Sequence, residues 1–128
     1  MAGDGVVTGN GLIHAFHFNK VFKLTDGRIV GITGTTYDMM PFVEWLENGG
    51  ELPILSDDFE ALVLIAPQEC LTYNSKCLLA YQEVPAVAGS GGAIALGAML
   101  AGASPFEAAT IAAKRDTNCG GTITEQFL

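Results

Sequence analysis

The sequence predicts a single α+β domain in which helices pack on the outer faces of β-sheets. The chain has 128 residues, enough for one compact domain and too few for two. Hydrophobic residues make up 49% of it, so a packed core is expected. The local patterns run in the order strands, helix, strands, two helices, strand. This order suits a layered α+β fold over residues 1–128.

The N-terminal patterns predict turns followed by strands. Residues 1–10 are rich in glycine, and Leu12–Leu24 alternates imperfectly, as a strand pair would. Asp26-Gly27 lies between the apolar runs 21–24 and 28–32. Because a tight two-residue turn requires positive φ angles, which Asp and Gly tolerate, we expect a hairpin here.

A helix and a loop follow this hairpin. The threonine pair at 35–36 can cap a helix that runs towards Asn48, and Gly49-Gly50 would end it. Pro41 lies inside this span, so we expect the helix to start late or to bend at the proline. Residues 52–58 are predicted to form a loop.

The second half contains three strands, two helices and a last strand. Strands are predicted over Phe59–Ala66, Cys70–Tyr73 and Cys77–Tyr81. Gly92–Gly102 is predicted to be a helix of small apolar residues. Ser104-Pro105-Phe106-Glu107 combines a capping box with proline at the first helical position, so a second helix should run from there to about Lys114. A final strand is expected over Thr122–Leu128.

Charge and cysteine content exclude several classes of function. The formal net charge is −8 with six Lys plus Arg, whereas a nucleic-acid partner requires a basic face. No apolar run is long enough to cross a membrane. The N-terminus lacks the basic and apolar regions of a signal peptide. Three cysteines without a C-x-x-C pair indicate reduced thiols in a cytoplasmic protein.

Two glycine-rich turns carry polar residues of catalytic type. They are Gly89-Ser90-Gly91-Gly92 and the segment Asp116–Gly121. The first turn precedes a helix, so an anion or phosphate site is one interpretation, although the lysine of a P-loop is absent. His14 and His17 do not suggest a metal site, because their odd separation in a strand puts them on opposite faces.

Several motifs, taken in order, give the chain a recognisable pattern. They are Gly3-Asp4-Gly5, Lys20-Val21, Gly31-Ile-Thr-Gly34, Gly89-Ser90-Gly91-Gly92, and Arg115-Asp116 followed by Gly120-Gly121. In this pattern the sequence resembles the proteasome β-subunit and HslV peptidase family, and most of all small HslV-like proteins encoded by bacteriophages. The resemblance implies a four-layer αββα fold and the chemistry of N-terminal-nucleophile threonine peptidases.

The resemblance implies a role for five residues near an N-terminal threonine nucleophile. Lys20 would be the ammonium beside the threonine hydroxyl, and Asp4 would pair with it. Gly34 would offer its backbone N–H to the oxyanion. Ser90 and Asp116 would form the hydrogen-bonding shell of the threonine α-amine, which takes the hydroxyl proton.

The resemblance also implies substrate contacts and partners. Thr8 and Gly34 match positions that hold an extended substrate by strand addition, and Val7, Phe18 and Ile32 fall near the specificity pocket. The expected substrate is a polypeptide, and the expected assembly is a closed homo-oligomeric ring, with an ATPase unfoldase as a candidate partner. No cofactor is implied. A structural cation at the turn over residues 116–121, as in some relatives, is an open question.

The sequence departs from the family at three places. No threonine-bearing strand precedes the Gly-Asp-Gly turn, so the 128 residues by themselves are predicted to be inactive. Either Met1 is an internal methionine of an active peptidase, or the protein is an inactive assembly or scaffold subunit; we favour the first. Residues 53–58 replace a long second helix, which thins one helical layer. Cys119 stands where many proteasome subunits have serine, and its thiol is a weak substitute.

Overall fold

A five-stranded antiparallel sheet is the largest element of the computed structural model, which describes residues 1–128. The elements along the chain are β1 (Ala2–Gly3), β2 (Val7–Gly9), β3 (Leu12–Ala15), β4 (Val21–Lys23), β5 (Ile29–Thr33), α1 (Met39–Asn48), β6 (Glu60–Ala66), β7 (Glu69–Asn74), β8 (Leu79–Gln82), α2 (Gly92–Leu100), α3 (Pro105–Arg115) and β9 (Thr124–Glu125). The large sheet has the order β4-β5-β6-β7-β8, and each strand pairs with its neighbour in the sequence. The predicted hairpin at Asp26-Gly27 joins β4 to β5.

The main hydrophobic core lies between α1 and one face of this sheet. Phe42 on α1 is fully buried and packs against Phe59 and Tyr73, with ring centroids 4.9 and 5.4 Å away. Val30 and Val63 contribute from the central strands and are also fully buried. Alternate residues of β5 and β6 therefore face α1, as the period of a β-strand requires.

The helix α1 starts late, as Pro41 predicted. A 3-10 turn over Thr36–Asp38 precedes it, so the proline falls in the first turn, where its missing N–H costs nothing. No helix forms between α1 and β6. The buried Asp38 carboxylate instead accepts a hydrogen bond from the Ser56 backbone N–H (2.9 Å), which holds the loop. The predicted thin helical layer is thus present.

The opposite face of the large sheet carries the other two layers. The strands β1 and β9 form an antiparallel pair, and β1 lies directly on the sheet, because the Met1 side chain covers Gly31 and Val21 covers Gly3. Outside this pair pack α2 and α3, with β1 against α3. The order helix, sheet, strand pair, helices confirms the predicted four-layer αββα sandwich.

The capping chemistry of α3 is as predicted. The Ser104 hydroxyl accepts a hydrogen bond from the Glu107 N–H (3.2 Å), and the Glu107 carboxylate accepts one from the Ser104 N–H (2.8 Å). Pro105 is the first helical residue. None of the three helices combines the length and the apolar character needed to span a membrane.

Three predicted strands were wrong in detail. The segment Leu12–Leu24 is not a strand pair. Instead, β3 pairs with the preceding strand, β2, across a turn at Asn10-Gly11, where both residues have positive φ. The third middle strand starts at Leu79, because the Asn74 side chain accepts hydrogen bonds from two later N–H groups and extends the turn. The last strand covers only Thr124–Glu125.

The buried aromatic cluster should dominate the stability of this fold. We expect Phe42→Ala to lower the free energy of unfolding by about 3–5 kcal/mol, because it removes a fully buried ring and leaves a cavity. Tyr37→Ala is the matched control, since Tyr37 is 88% exposed and should change stability by less than about 0.5 kcal/mol. Urea unfolding followed by circular dichroism measures both. Similar losses in the two variants would contradict this assignment of the core.

Candidate active site

The centre of the candidate site is an ion pair between Lys20 and Asp4. The Lys20 Nζ lies 3.0 Å from Asp4 Oδ1, and the two side chains are 20% and 17% exposed. Lys20 directly precedes β4, and its carbonyl accepts a hydrogen bond from the Ile32 N–H (2.9 Å), which fixes it to the large sheet. The cation is therefore held by its backbone and its head group together.

The second oxygen of Asp4 ties the N-terminal turn to the C-terminal turn. Asp4 Oδ2 accepts hydrogen bonds from the backbone N–H groups of Val6 (3.2 Å) and Gly120 (3.0 Å). The Gly5 N–H donates to the Gly120 carbonyl beside it (3.0 Å). One carboxylate thus joins residues that lie 16 and 116 positions away in the sequence.

Glycine is required where these turns meet. Gly121 has a φ of +69°, and a Cβ there would collide with the Phe16 carbonyl oxygen. A Cβ on Gly91 would lie 2.7 Å from Cys119 Sγ, closer than real contacts, and 3.2 Å from Ala112 Cβ, which is a tight contact. The close approach of the glycine turn at 89–92 to the turn after α3 therefore leaves little room for a side chain at Gly91.

This junction contains a small cluster of polar side chains. Ser90 Oγ lies 3.9 Å from Cys119 Sγ, and the Asp116 carboxylate accepts a hydrogen bond from the Asn118 N–H (2.8 Å). That bond, with a smaller effect of the Ser90 hydroxyl, holds the pKa of Asp116 below its ordinary value. Burial, and next the charge of Asp4, raise the pKa of the Cys119 thiol. The thiol therefore stays protonated and can donate a weak hydrogen bond.

A cleft of about 550 Å³ separates the large sheet from α2 and α3. Its walls are mostly apolar, and the polar residues Asp4, Lys20, Ser90 and Cys119 line it together. Packed interiors leave few voids larger than one water molecule, so an opening of this size between layers is the candidate site.

The edge of β1 that faces away from β9 has no strand partner. Met1 and Gln126 exchange both of their backbone hydrogen bonds across the β1–β9 pair (2.9 Å each). Because such exchange alternates along an antiparallel pair, the N–H and C=O of Ala2 point to the other edge. Ala2 also lines the cleft. A strand could thus add to β1 at the cleft.

Of the five remaining predicted site residues, only Ile32 is among those that line the cleft. Gly34 is exposed just after β5 and has a φ of +101°, and Thr8 is exposed on β2. Val7 and Phe18 are half-buried, whereas Ile32 is buried in the core between the sheet and α1, against which Phe18 also packs. The roles of these five residues remain predictions.

Two contributors were not found from the sequence. Glu60 accepts a hydrogen bond from the Gly89 N–H (3.2 Å), and Thr33 Oγ1 would be 3.0 Å from a Cβ on Gly89. Both residues support the glycine turn from the large sheet. Their positions at the ends of paired strands β5 and β6 become visible only with the strand register. No group of three or more His, Cys, Asp or Glu side chains is arranged to hold a metal ion.

Comparison with known proteins supports the fold. No protein-family model matches the sequence, and no curated protein matches it. Among solved structures, the eukaryotic HslV of Trypanosoma brucei is similar with a TM-score of 0.77 and 22% identity, covering 96% of this chain and 88% of that one. The BPH protein of Thiobacillus denitrificans is similar with TM-scores of 0.64 alone and 0.66 in complex with epoxomicin. These two matches have 16% and 18% identity, each with the same coverage of 96% and 88%.

The Asp4 carboxylate should matter more to stability than a surface carboxylate. Asp4→Asn removes the charge that faces Lys20 and leaves one acceptor oxygen for three donors, so we expect a loss of about 1–3 kcal/mol. Asp26→Asn is the matched control, because Asp26 forms an exposed pair with Arg28, and the loss of such a surface pair should change stability little. Equal losses in chemical denaturation would contradict the central position of Asp4.

The depressed pKa of Asp116 predicts a pH effect with a definite sign. A carboxylate whose pKa is lower in the folded state stabilises the fold above its unfolded pKa and loses this contribution as pH falls through the folded pKa. The difference in unfolding free energy between the parent and Asp116→Asn should therefore be constant above about pH 5 and shrink below about pH 4. Titration of the carboxyl carbon by NMR tests the cause directly, and a midpoint at or above the ordinary value would contradict it.

Proposed function

We propose that the chain is the body of a threonine-type endopeptidase subunit that cleaves polypeptides inside a closed homo-oligomeric ring. The observation that carries this proposal is the Lys20–Asp4 pair on the wall of a cleft that Ser90 and Cys119 also line. Residues 1–128 form its single domain. By the pattern of its motifs it belongs among the small phage-encoded HslV-like proteins and works in the bacterial cytoplasm.

A β-strand that precedes Met1 would fill the cleft and bring the nucleophile. The size and apolar walls of the cleft, together with the free edge of β1, suit an extended segment packed between the large sheet and α2–α3. A short turn from Met1 would place such a strand antiparallel to β1. Its first residue would then lie at the end of the cleft where Lys20 and Ser90 are found.

The chemistry at that end follows from the residues present. The hydroxyl of an N-terminal threonine would attack the substrate carbonyl carbon, and its proton would pass to the threonine α-amine and then to the leaving amine. The Lys20 ammonium favours the anionic oxygen and keeps the α-amine neutral. Ser90 and Asp116 orient the amine, and the Gly34 N–H stabilises the oxyanion. Water then releases the acyl group from the threonine.

The assembly and its partners extend the proposal. Ring closure would hide the cleft from folded proteins, so an ATPase unfoldase would deliver substrates. Because α1 is the only helix in its layer, the surface that such a partner contacts would differ from one with two helices. An inactive assembly subunit with the same fold is the competing function. It predicts ordered oligomers without peptide cleavage and without a threonine-bearing strand encoded upstream.

The deciding experiment uses the in-frame sequence upstream of Met1. We expect the extended protein, processed to an N-terminal threonine, to cleave fluorogenic peptides and to react with epoxyketones at that threonine. Lys20→Met should lower kcat by at least about 100-fold, because the nucleophile loses its ammonium. Lys114→Met, on the exposed end of α3, is the control and should be nearly as active as the parent. A stop codon without an extension, or full activity in Lys20→Met, would refute the proposal.

A further inference from the structure

A second cavity, here called the side cavity, adjoins the glycine turn. It has a volume of about 300 Å³, and its walls come from β6, β7, β8 and the segment before the turn. Val87 and Ala88 line both the side cavity and the cleft, so the two openings are direct neighbours. Pockets for complete small molecules begin at about this volume. The side cavity is therefore the right size for one long side chain.

Four polar side chains line the side cavity, and they share one face of the large sheet. Glu60, Thr72, Asn74 and Gln82 belong to three neighbouring strands. Glu60 lies opposite Asn74, and Thr72 and Gln82 follow at alternate positions of the paired strands. Because residues two apart point to the same side of a strand, this is also the face on which Leu62 lines the cleft. The side cavity thus continues the cleft along the sheet towards β8.

Glu60 gives the side cavity a negative charge that no cation of the protein balances. One carboxylate oxygen, Oε2, accepts a hydrogen bond from the Gly89 N–H (3.2 Å), which fixes the group at the glycine turn. Both ion pairs of the structure involve other carboxylates. No Lys or Arg lines the cavity, and the cation nearest to Glu60 in the sequence, Lys76, lies in the turn between β7 and β8. The second oxygen, Oε1, is left for a ligand.

The chemistry of the proposed peptidase relates the side cavity to one side of the bond that is cut. In that reaction the threonine α-amine passes its proton to the leaving amine, so the leaving amine must lie beside the α-amine. Ser90 orients the α-amine, and the residue before it, Gly89, is the one that Glu60 holds. The substrate residues that follow the cut bond would therefore pass the mouth of the side cavity.

We propose that the side cavity binds the side chain of a lysine or arginine that follows the cut bond in the polypeptide substrate. The cation pairs with Glu60 Oε1, because a charged donor forms the strongest hydrogen bonds with a carboxylate. The oxygens of Thr72 and Gln82 accept its remaining hydrogen bonds. The Thr72 hydroxyl donates to the Ala80 carbonyl (3.2 Å), so its acceptor side is the one that is open. The identity of the ligand as substrate rests on the proposed function, whereas the preference for a cation rests on the lining alone.

Binding of a single side chain tests the side cavity without any peptidase activity. Nα-acetyl-arginine methylamide should cause saturable shifts of the Gly89 and Ala88 amide signals in ¹H–¹⁵N NMR spectra of the chain. The citrulline analogue, which has nearly the same shape but no charge, should bind at least about threefold more weakly, because it cannot form an ion pair with Glu60. Equal binding of the two probes, or no saturable shift with arginine, would overturn the proposal.

Two charge variants locate the binding. Glu60→Gln keeps an acceptor oxygen for the Gly89 N–H but removes the charge, so its affinity for the arginine probe should fall to that for citrulline. Glu69→Gln is the matched control, because Glu69 is an exposed carboxylate at the other end of β7 from Asn74. It should bind arginine as the parent does. Unchanged arginine binding in Glu60→Gln, or an equal loss in both variants, would also overturn the proposal.

Cleavage by the extended protein tests the link to the substrate. Peptides with arginine at the first or second position after the cut bond should have a kcat/KM at least about threefold higher than their citrulline counterparts, and Glu60→Gln should abolish this difference. Equal cleavage of the two kinds of peptide would overturn the proposal but leave the peptidase activity established. An extended protein that cleaves neither would instead contradict the proposed function, and the NMR titration would still decide whether the side cavity binds a cation.

Discussion

The Asp4 carboxylate is the interaction on which the arrangement of the candidate site depends. Its two oxygens contact a lysine of the large sheet and a backbone N–H of the turn after α3. These partners belong to different layers of the sandwich. A single half-buried group therefore fixes the distance between the layers at the place where the chemistry would occur.

The same layers separate where no such group joins them. Beside β1 the space between the large sheet and α2–α3 opens into the cleft, which the polar residues Asp4, Lys20, Ser90 and Cys119 help to line. The layers pack closely at Gly91, and the cleft opens next to this contact. The glycine turn brings the layers together at one end, while small residues on α2 and α3 leave room along the rest. A closely packed junction therefore lies beside an open cleft.

Local chemistry explains which parts of the fold could be predicted. The capping box at Ser104, the Asp26-Gly27 hairpin and the late start of α1 depend on residues a few positions apart, and all three were predicted correctly. The β1–β9 pair joins opposite ends of the chain, and no local pattern indicates it. The β2–β3 hairpin is a different case, because Asn10-Gly11 is itself a strong local turn signal.

The candidate site shows the same limit more sharply. Asp4 and Lys20 were paired through a resemblance, and their contact at 3.0 Å follows from the paths of two separate strands. Glu60 and Thr33 support the glycine turn only because the β5–β6 register brings both residues to the same end of the sheet. A sequence pattern can name the residues that carry the chemistry, since their types are constrained. The residues that hold them in position are constrained by register, so they emerge only when the strands are paired.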